Sequence, residues 1–376
     1  MFFERFREAT ARLPAGLVRP APAAAPAELA RAEAALGGAL PAEYASFLRS
    51  FDGADLFHEA IVIAGVGEHA PQSLTALNAP GQRDPRGGLV FAEAVAGDRF
   101  ALDERGRVVR LRADSEERIL AGTSFELWLD ATIARERVLW GPDGEFAPDV
   151  FDEDGEEIAP AVVVRQTERA LKIDPGSADA QYERGLALRR LGRADKALEA
   201  FAAASALDPV DPWPWFDYGR TALEAGRELG RASDAFARAA ALEGGPAGAR
   251  LFAWAARAAG DAGNPAGAAE MRRRALERDP ALLEALLRAE AQASHEGDDE
   301  ARAESEALRL ALAPESAPRR SLRVVTADAG PGREPSGDAS ASEDRRRPRP
   351  PDPPPRRVPP ARPRGGASPK AGRRRR

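Results

Sequence analysis

The sequence predicts an α+β N-terminal domain, then an all-α array of helical hairpins, then a disordered tail. Three observations predict it. Strand-like runs lie between amphipathic helices in residues 1–150. Proline corners recur every 34 residues through 151–314, from Pro175 to Pro209 and again from Pro280 to Pro314. Residues 315–376 are Pro- and Arg-rich, contain no aromatic residue and hold few Leu, Ile or Val.

The first region divides into readable elements. MFFERFREATARL mixes Phe with Arg and Glu and reads as a short amphipathic helix, and PAELARAEAALGG (26–38) reads as another. In LPAEYASFLRSFDG (40–53), Tyr44, Phe47, Leu48 and Phe51 fall at i, i+3, i+4 and i+7, one apolar stripe of a helix. Pro41 suits the first turn, where a missing N–H costs nothing. Gly53 suits the left-handed residue that closes a helix. Strand-like runs follow at 60–66, 88–95, 99–103 and 107–112, the last two joined by the turn DERG as a hairpin. TSFELWLDATI (123–133) predicts a helix with Thr123 and Glu126 as a capping box. Helices flanking consecutive hairpin strands make an α+β domain.

The order of these motifs resembles the Smi/Knr-type domain of the SUKH superfamily over about residues 25–135. The residues that carry the resemblance are Leu40, Pro41, Tyr44, Phe47, Leu48, Asp52 and Gly53, then Leu89-Val90-Phe91-Ala92, Leu102-Asp103 and Val108-Val109, and finally Phe125, Trp128 and Leu129. Asp52 stands where Asn is frequent in that family, and the polar loop 71–88 is expected to reshape any surface pocket. The resemblance implies a binding domain without catalysis. Many bacterial relatives are immunity proteins that mask toxins; others are scaffolds. Most of the motif residues are apolar, so they are expected to build the core.

The middle region repeats. Residues 178–209 read as a helix, a Gly turn and a second helix, with Gly185, Gly192, Ala197, Phe201, Ala204 and Asp208-Pro209 in place. A second copy keeps Trp215, Gly219, Gly226, Ala232, Phe236 and Ala239. A third keeps Phe252, Gly263, Ala268, Ala275 and Asp279-Pro280, but has Ala256 in place of Gly and Arg272 in place of an aromatic. The last, 281–314, keeps little beyond Gly297 and the spacing. Period and residue types together resemble the tetratricopeptide (TPR) family. The resemblance implies hairpins stacked into a solenoid, with the first helix of each repeat lining a concave groove. That places Tyr182, Arg189, Arg190, Trp213, Phe216, Arg220, Arg250 and Arg257 in a peptide-binding groove. Arg beside aromatics suits an acidic or aromatic-bearing peptide, through bidentate pairing and stacking. The Lys–Asn clamp of chaperone-tail binders is absent, with Tyr182 and Leu186 in its place.

Composition narrows the chemistry. With no Cys there is no disulfide and no thiolate catalysis. The three His, His58, His69 and His295, lack metal-ligand spacing. Gly65, Gly67 and Ala70 match the dinucleotide fingerprint spacing, but Pro71 interrupts the helix that motif needs. The acidic FDEDGEE (151–157) reads as a solvated connector. The chain is therefore expected to be no enzyme and to need no cofactor or metal. No run reaches the ~18 apolar residues of a membrane span, so no membrane partner is expected. The start does not read as a signal peptide, and a cytoplasmic location is expected.

The net charge of −6 divides unevenly. Residues 1–150 carry 16 basic and 23 acidic side chains, net −7, and 151–314 carry 21 and 30, net −9. Residues 315–376 carry 17 and 7, net +10. Such a tail cannot bury enough apolar area to fold. It leaves nucleic-acid binding through phosphate contacts as an alternative function. The leading expectation is a protein-interaction scaffold, a SUKH-like recognition domain of toxin-immunity type coupled to TPR repeats.

Overall fold

A computed structural model of the chain describes residues 2–115, 117–152, 155 and 157–314. The expected disordered tail, 315–376, lies outside the described residues. Two compact units meet at the Asp211/Pro212 peptide and are described in turn.

The first unit is built on a seven-stranded antiparallel sheet whose strands pair in chain order: β1 (Val18–Pro20), β2 (Ala54–Leu56), β3 (Ile61–Ile63), β4 (Leu89–Ala94), β5 (Arg99–Leu102), β6 (Val108–Leu111) and β7 (Arg118–Gly122). The helices α1 (Phe2–Ala11), α2 (Pro26–Leu36), α3 (Ala42–Leu48), α4 (Leu74–Leu77) and α5 (Phe125–Glu136) complete the α+β region. Strands β3 to β6 are the four expected from sequence. Strands β1, β2 and β7 were not expected; the first two are only three residues long, too short to show alternation.

One face of the sheet closes on an aromatic core. Tyr44 and Phe47 from α3, Phe91 from β4, and Phe125 and Trp128 from α5 are all buried. The Tyr44–Phe125, Phe47–Phe125 and Phe91–Trp128 rings sit 5.2, 5.2 and 5.0 Å apart, within the range where edge-to-face pairs add to burial. Leu40, Leu48 and Leu129 share this core. Each large side chain so buried contributes about 1.5–3 kcal/mol. The Tyr44 hydroxyl donates to the Ala64 carbonyl at 2.6 Å. Burial, with the nearby Asp52 charge adding, pushes its phenol well above the usual range.

Two local expectations need correction. The helix that starts after Pro41 ends at Leu48, so Phe51 is buried from the turn beyond it. Gly53 is left-handed (φ +88°), but it serves the start of β2 instead of the helix end. A Cβ there would lie 2.5 Å from the Ile63 carbonyl oxygen, so close strand approach fixes Gly as well. At α5 the capping residue is Ser124, whose hydroxyl accepts from Leu127 N at 3.2 Å. Thr123 is engaged elsewhere, by Asp174.

The glycine run after β3 holds a carboxylate of the chain itself. Asp52 accepts from Val66 N at 2.7 Å and Gly67 N at 2.8 Å. A dinucleotide phosphate therefore has no claim on those donors. Asp103 pins the β5–β6 turn in the same way, accepting from Arg105 N and Arg107 N, each at 2.9 Å.

Helices α6 (Pro160–Ile173), α7 (Ala178–Arg190) and α8 (Ala194–Leu207) belong to the same unit. Helix α5 has two working faces. Phe125, Trp128, Leu129 and Ile133 join the sheet's core, while Ala131 packs with Ala170 of α6 and Ala180 of α7. The last helix of the α+β region thus also begins the helical array.

The second unit contains α9 (Pro212–Glu224), α10 (Leu229–Leu242), α11 (Gly245–Asp261), α12 (Pro265–Arg278), α13 (Leu282–Glu296) and α14 (Asp299–Leu312). The hairpins close as the repeat pattern requires. In α9, a Cβ on Gly219 would lie 2.9 Å from the Phe236 ring of α10. In the first unit, a Cβ on Gly185 would lie 2.5 Å from the Phe201 ring of α8. The fourth hairpin departs from regular stacking. Helix α13 meets α12 only at its margin, and α14 lies along α11 instead. In α12, Arg272 stands where an aromatic was expected, and only Ala268 and Ala275 are buried.

Candidate protein-interaction site

The open face of the sheet carries a row of directly opposed residues. Arg19, Asp55, Val62, Glu93 and Arg99 face one another across β1 to β5. Alternation, reset on β4 by the irregularity between Val90 and Ala92, puts these side chains on the side away from the aromatic core. All but Arg99 line a groove of about 690 Å³, together with Glu59, His69, Pro71, Gln72 and Val95. Arg19 is ion-paired to Asp55 and lies 3.8 Å from Glu59. Gln72 donates to Glu93 at 2.7 Å. Val95 is 64% exposed beside these charges. The loop 71–88 does shape this pocket, through Pro71 and Gln72. Asn78 fastens it to β4 by donating to the Val90 carbonyl at 2.7 Å and accepting from Val90 N at 3.0 Å.

The turn that carries Glu59 is strained. Phe57, His58 and Glu59 take left-handed backbone, with φ of +56°, +57° and +68°. Such conformations cost roughly 1–2 kcal/mol per residue outside glycine. Burial of Phe57 and a 5.4 Å edge contact between His58 and Trp140 hold the turn in place. So does Asp55, which accepts from Glu59 N at 2.5 Å. The result is a carboxylate presented at the groove rim. His58 and His69 do not meet there, and no metal-binding cluster of His and carboxylates exists among the described residues.

The other edge of the sheet is closed by the first hairpin. Asp208 accepts from Leu120 N of β7 at 3.2 Å, and Asp174 accepts from Thr123 N at 2.7 Å and its hydroxyl at 2.9 Å. These are the aspartates of two successive Asp-Pro corners. They satisfy donors that an edge would otherwise leave open. Beside them Arg110 of β6 is buried, 3.0 Å from Asp179 and 3.0 Å from Glu183 of α7. Arg135 of α5 reaches Glu183 at 2.7 Å. Burial works against the Arg110 charge, but Asp179, Glu183 and Asp98 outweigh it and hold its pKa above the ordinary value.

The residues expected to line the repeat groove divide between the units. In the first, Tyr182 is buried against Phe201 at 5.9 Å, which takes it out of any groove lining. Arg189 is half-buried, and Arg190 pairs with Glu157 at 2.8 Å. In the second, Trp213 is 39% exposed and packs edge-on against Phe216 at 5.9 Å. Phe216 turns inward to Phe236 at 5.8 Å. Arg257 sits over the Trp254 ring at 5.3 Å. Arg220 and Arg250 are brought together by α14: Arg220 lies 3.9 Å from Glu300 and Arg250 lies 3.4 Å from Glu304.

Comparison with known proteins finds two families along the chain. Residues 23–131 match the SMI1 / KNR4 family (SUKH-1), and residues 178–221 match a tetratricopeptide repeat. The chain thus joins a SUKH-1 domain to TPR repeats, a combination that fits a protein-interaction scaffold. No curated protein matches it. Among solved structures, a MamA protein is 22% identical, over 32% of this chain and 65% of that chain, with a TM-score of 0.29. MamA from Desulfovibrio magneticus RS-1 is 18% identical, over 42% and 88%, with a TM-score of 0.29. YrrB, described as a TPR protein with an unusual peptide-binding site, is 19% identical, over 41% and 77%, with a TM-score of 0.27. The chain thus spans just under two thirds of the first of these. No helix among the described residues is long and apolar enough to cross a membrane.

Proposed function

We propose that this chain is a non-enzymatic scaffold whose SUKH-1 domain grips one protein partner on the open sheet face while the repeats hold another. The observation that carries the reading is the groove along Arg19, Asp55, Val62 and Glu93, with the exposed Val95 beside it. Charges of both signs around a small apolar patch suit a protein surface of mixed character, as interface rims and centres do. The finer reading is toxin immunity: the partner is a toxin, masked by occupation of this groove. The domain needs no cofactor for that task and works in the cytoplasm.

The test is affinity capture with the full chain, followed by calorimetry on the purified partner. Glu59→Arg with Val95→Glu should weaken binding at least about tenfold, since loss of an apolar contact and a charge reversal each remove roughly 1 kcal/mol or more. Unchanged affinity removes the groove from the reading. The immunity form further expects the chain, and not the double variant, to protect cells that express the toxin.

A second reading rests on the net +10 of residues 315–376. It makes the chain a nucleic-acid-associated factor. Binding to a DNA or RNA duplex should then fall steeply with salt and vanish on deleting 340–376. Binding that survives the deletion removes it.

A further inference from the structure

We propose that the α13–α14 hairpin is a releasable latch, and that the surface under α14 binds an acidic amphipathic helix of a partner protein in its place. This rests on the repeats' part of the reading above and deepens it. Helix α14 meets its neighbours through one slowly turning stripe, Glu300, Glu304, Leu308 and Leu312, spaced by four residues. The acidic half lies at Arg220 of α9 and Arg250 of α11, at 3.9 and 3.4 Å. The apolar half is buried, with Leu308 and Leu312 in one cluster with Phe252 and Ala249 of α11 and Leu286 of α13. A single helix thus bridges the first helices of two successive hairpins, the positions from which repeats of this kind offer their ligand surface. The chain's own helix states the chemistry that this surface accepts: two carboxylates, then two leucines, on one face.

Two features make α14 releasable. One of its ion pairs is open to water, with the Arg250 and Glu304 side chains each 44% exposed, and the other is 3.9 Å long between a half-buried Arg220 and an exposed Glu300. Exposed pairs hold weakly. Its partner helix α13 meets α12 at few points. Lifting the hairpin leaves Arg220, Arg250 and the apolar side of α11 uncovered. A partner helix with the same stripe replaces both the charge pairing and the burial, which a neutral or basic helix cannot.

The experiment uses the full chain and a fluorescent peptide copying residues 297–314 as the probe. In the wild type the latch competes, and the peptide binds weakly. In the chain with Glu300→Lys and Glu304→Lys the latch is loosened. Peptide affinity should then rise about tenfold, and hydrogen exchange in α14 should quicken. Adding Arg220→Glu and Arg250→Glu should abolish the gain. A peptide with Glu300→Lys and Glu304→Lys should not bind. Failure of α14 exchange to quicken overturns the latch. Quickened exchange without peptide binding, or binding indifferent to either charge reversal, overturns the ligand assignment. The sheet-face variants Glu59→Arg and Val95→Glu touch none of these residues. Failure of that groove test therefore leaves this one intact, and the reverse also holds.

Discussion

Helices α7 and α14 are both fastened by arginine–carboxylate pairs, but water reaches only one of the two seams. On α7, Asp179 and Glu183 meet Arg110 where all three side chains are less than a tenth exposed. On α14, Glu300 and Glu304 meet Arg220 and Arg250 at the surface. The first seam has given up hydration of every charge, so breaking it strands the survivors in a poor solvent. In the second, water replaces whatever partner leaves. The same chemistry therefore locks the first hairpin to the sheet, while on the last hairpin it adds little to the burial of Leu308 and Leu312 against α11. A protein-interaction scaffold has use for a fixed joint, and the proposed latch adds a surface that opens.

The sharpest attempt to break this comparison is Arg110→Met. It removes the ion pair of Asp179 with Arg110 and one of the two that Glu183 makes, Arg135 remaining 2.7 Å from Glu183, and should cost about 3–5 kcal/mol. Urea unfolding of the full chain should show a matching fall in the midpoint of the transition followed by Trp fluorescence. Replacing Asp179 and Glu183 with Leu and Met as well should restore much of the loss, because the uncompensated charges go too. A small effect of Arg110→Met alone would place water in that seam and erase the distinction.

A second attempt moves the helix instead of its charges. Gly185 lies on α7 two residues beyond Glu183, under the Phe201 ring. Alanine gains about 1 kcal/mol of helix propensity over glycine. Its Cβ would sit 2.5 Å from the ring, however, and overpacking of this kind costs about 1–3 kcal/mol. With α7 held at Phe201 on one side and Arg110 on the other, Gly185→Ala should lose up to about 2 kcal/mol net. Gly260→Ala on α11 has nothing within 4 Å and should gain up to about 0.5 kcal/mol. Thermal denaturation of the two variants checks the opposite signs.

How far was this legible beforehand? The aromatic stripe of α3 and the Gly185–Phe201 and Gly219–Phe236 pairings could be read because local spacing carries them. Arg272 already stood out as a departure, but the unstacked fourth hairpin appears only when α12 meets a neighbour. The buried seam joins Arg110 to Glu183 across 73 positions, which no local pattern reports. The groove row was hidden for a related reason. Arg19, Asp55 and Glu93 look like ordinary solvent-facing charges until strand register sets them side by side, and two of the strands involved are three residues long. Tyr182 misled because helix membership was known but helix rotation was not.

A smaller effect is expected at the Asp-Pro corners. Asp208→Asn keeps an acceptor for Leu120 N but removes its charge, which should cost roughly 1 kcal/mol, the difference between charged and neutral hydrogen bonds. Asp174→Asn also affects the Thr123 hydroxyl and should cost somewhat more. Amide exchange at Leu120 and Thr123 should quicken in the respective variants. Neither change should touch α14, since the corners belong to the sheet's edge.

The smallest effect discriminates best between the two seams, because it needs no mutation. Raising salt from about 0.05 M to 1 M shortens the screening length from more than 10 Å to about 3 Å. The Arg250–Glu304 pair is exposed and the Arg220–Glu300 pair is 3.9 Å long, so each should weaken by a few tenths of a kcal/mol, within the range of surface ion pairs. Arg110, Asp179 and Glu183 are buried, so dissolved ions have little access and their pairs should hold. Hydrogen exchange across the full chain reads both at once: α14 amides should quicken by about two- to threefold while α7 amides stay unchanged. Equal quickening would mean that both seams are wet. No change at α14 would mean that Leu308 and Leu312 alone hold the hairpin, and that Glu300 and Glu304 contribute nothing to closing it.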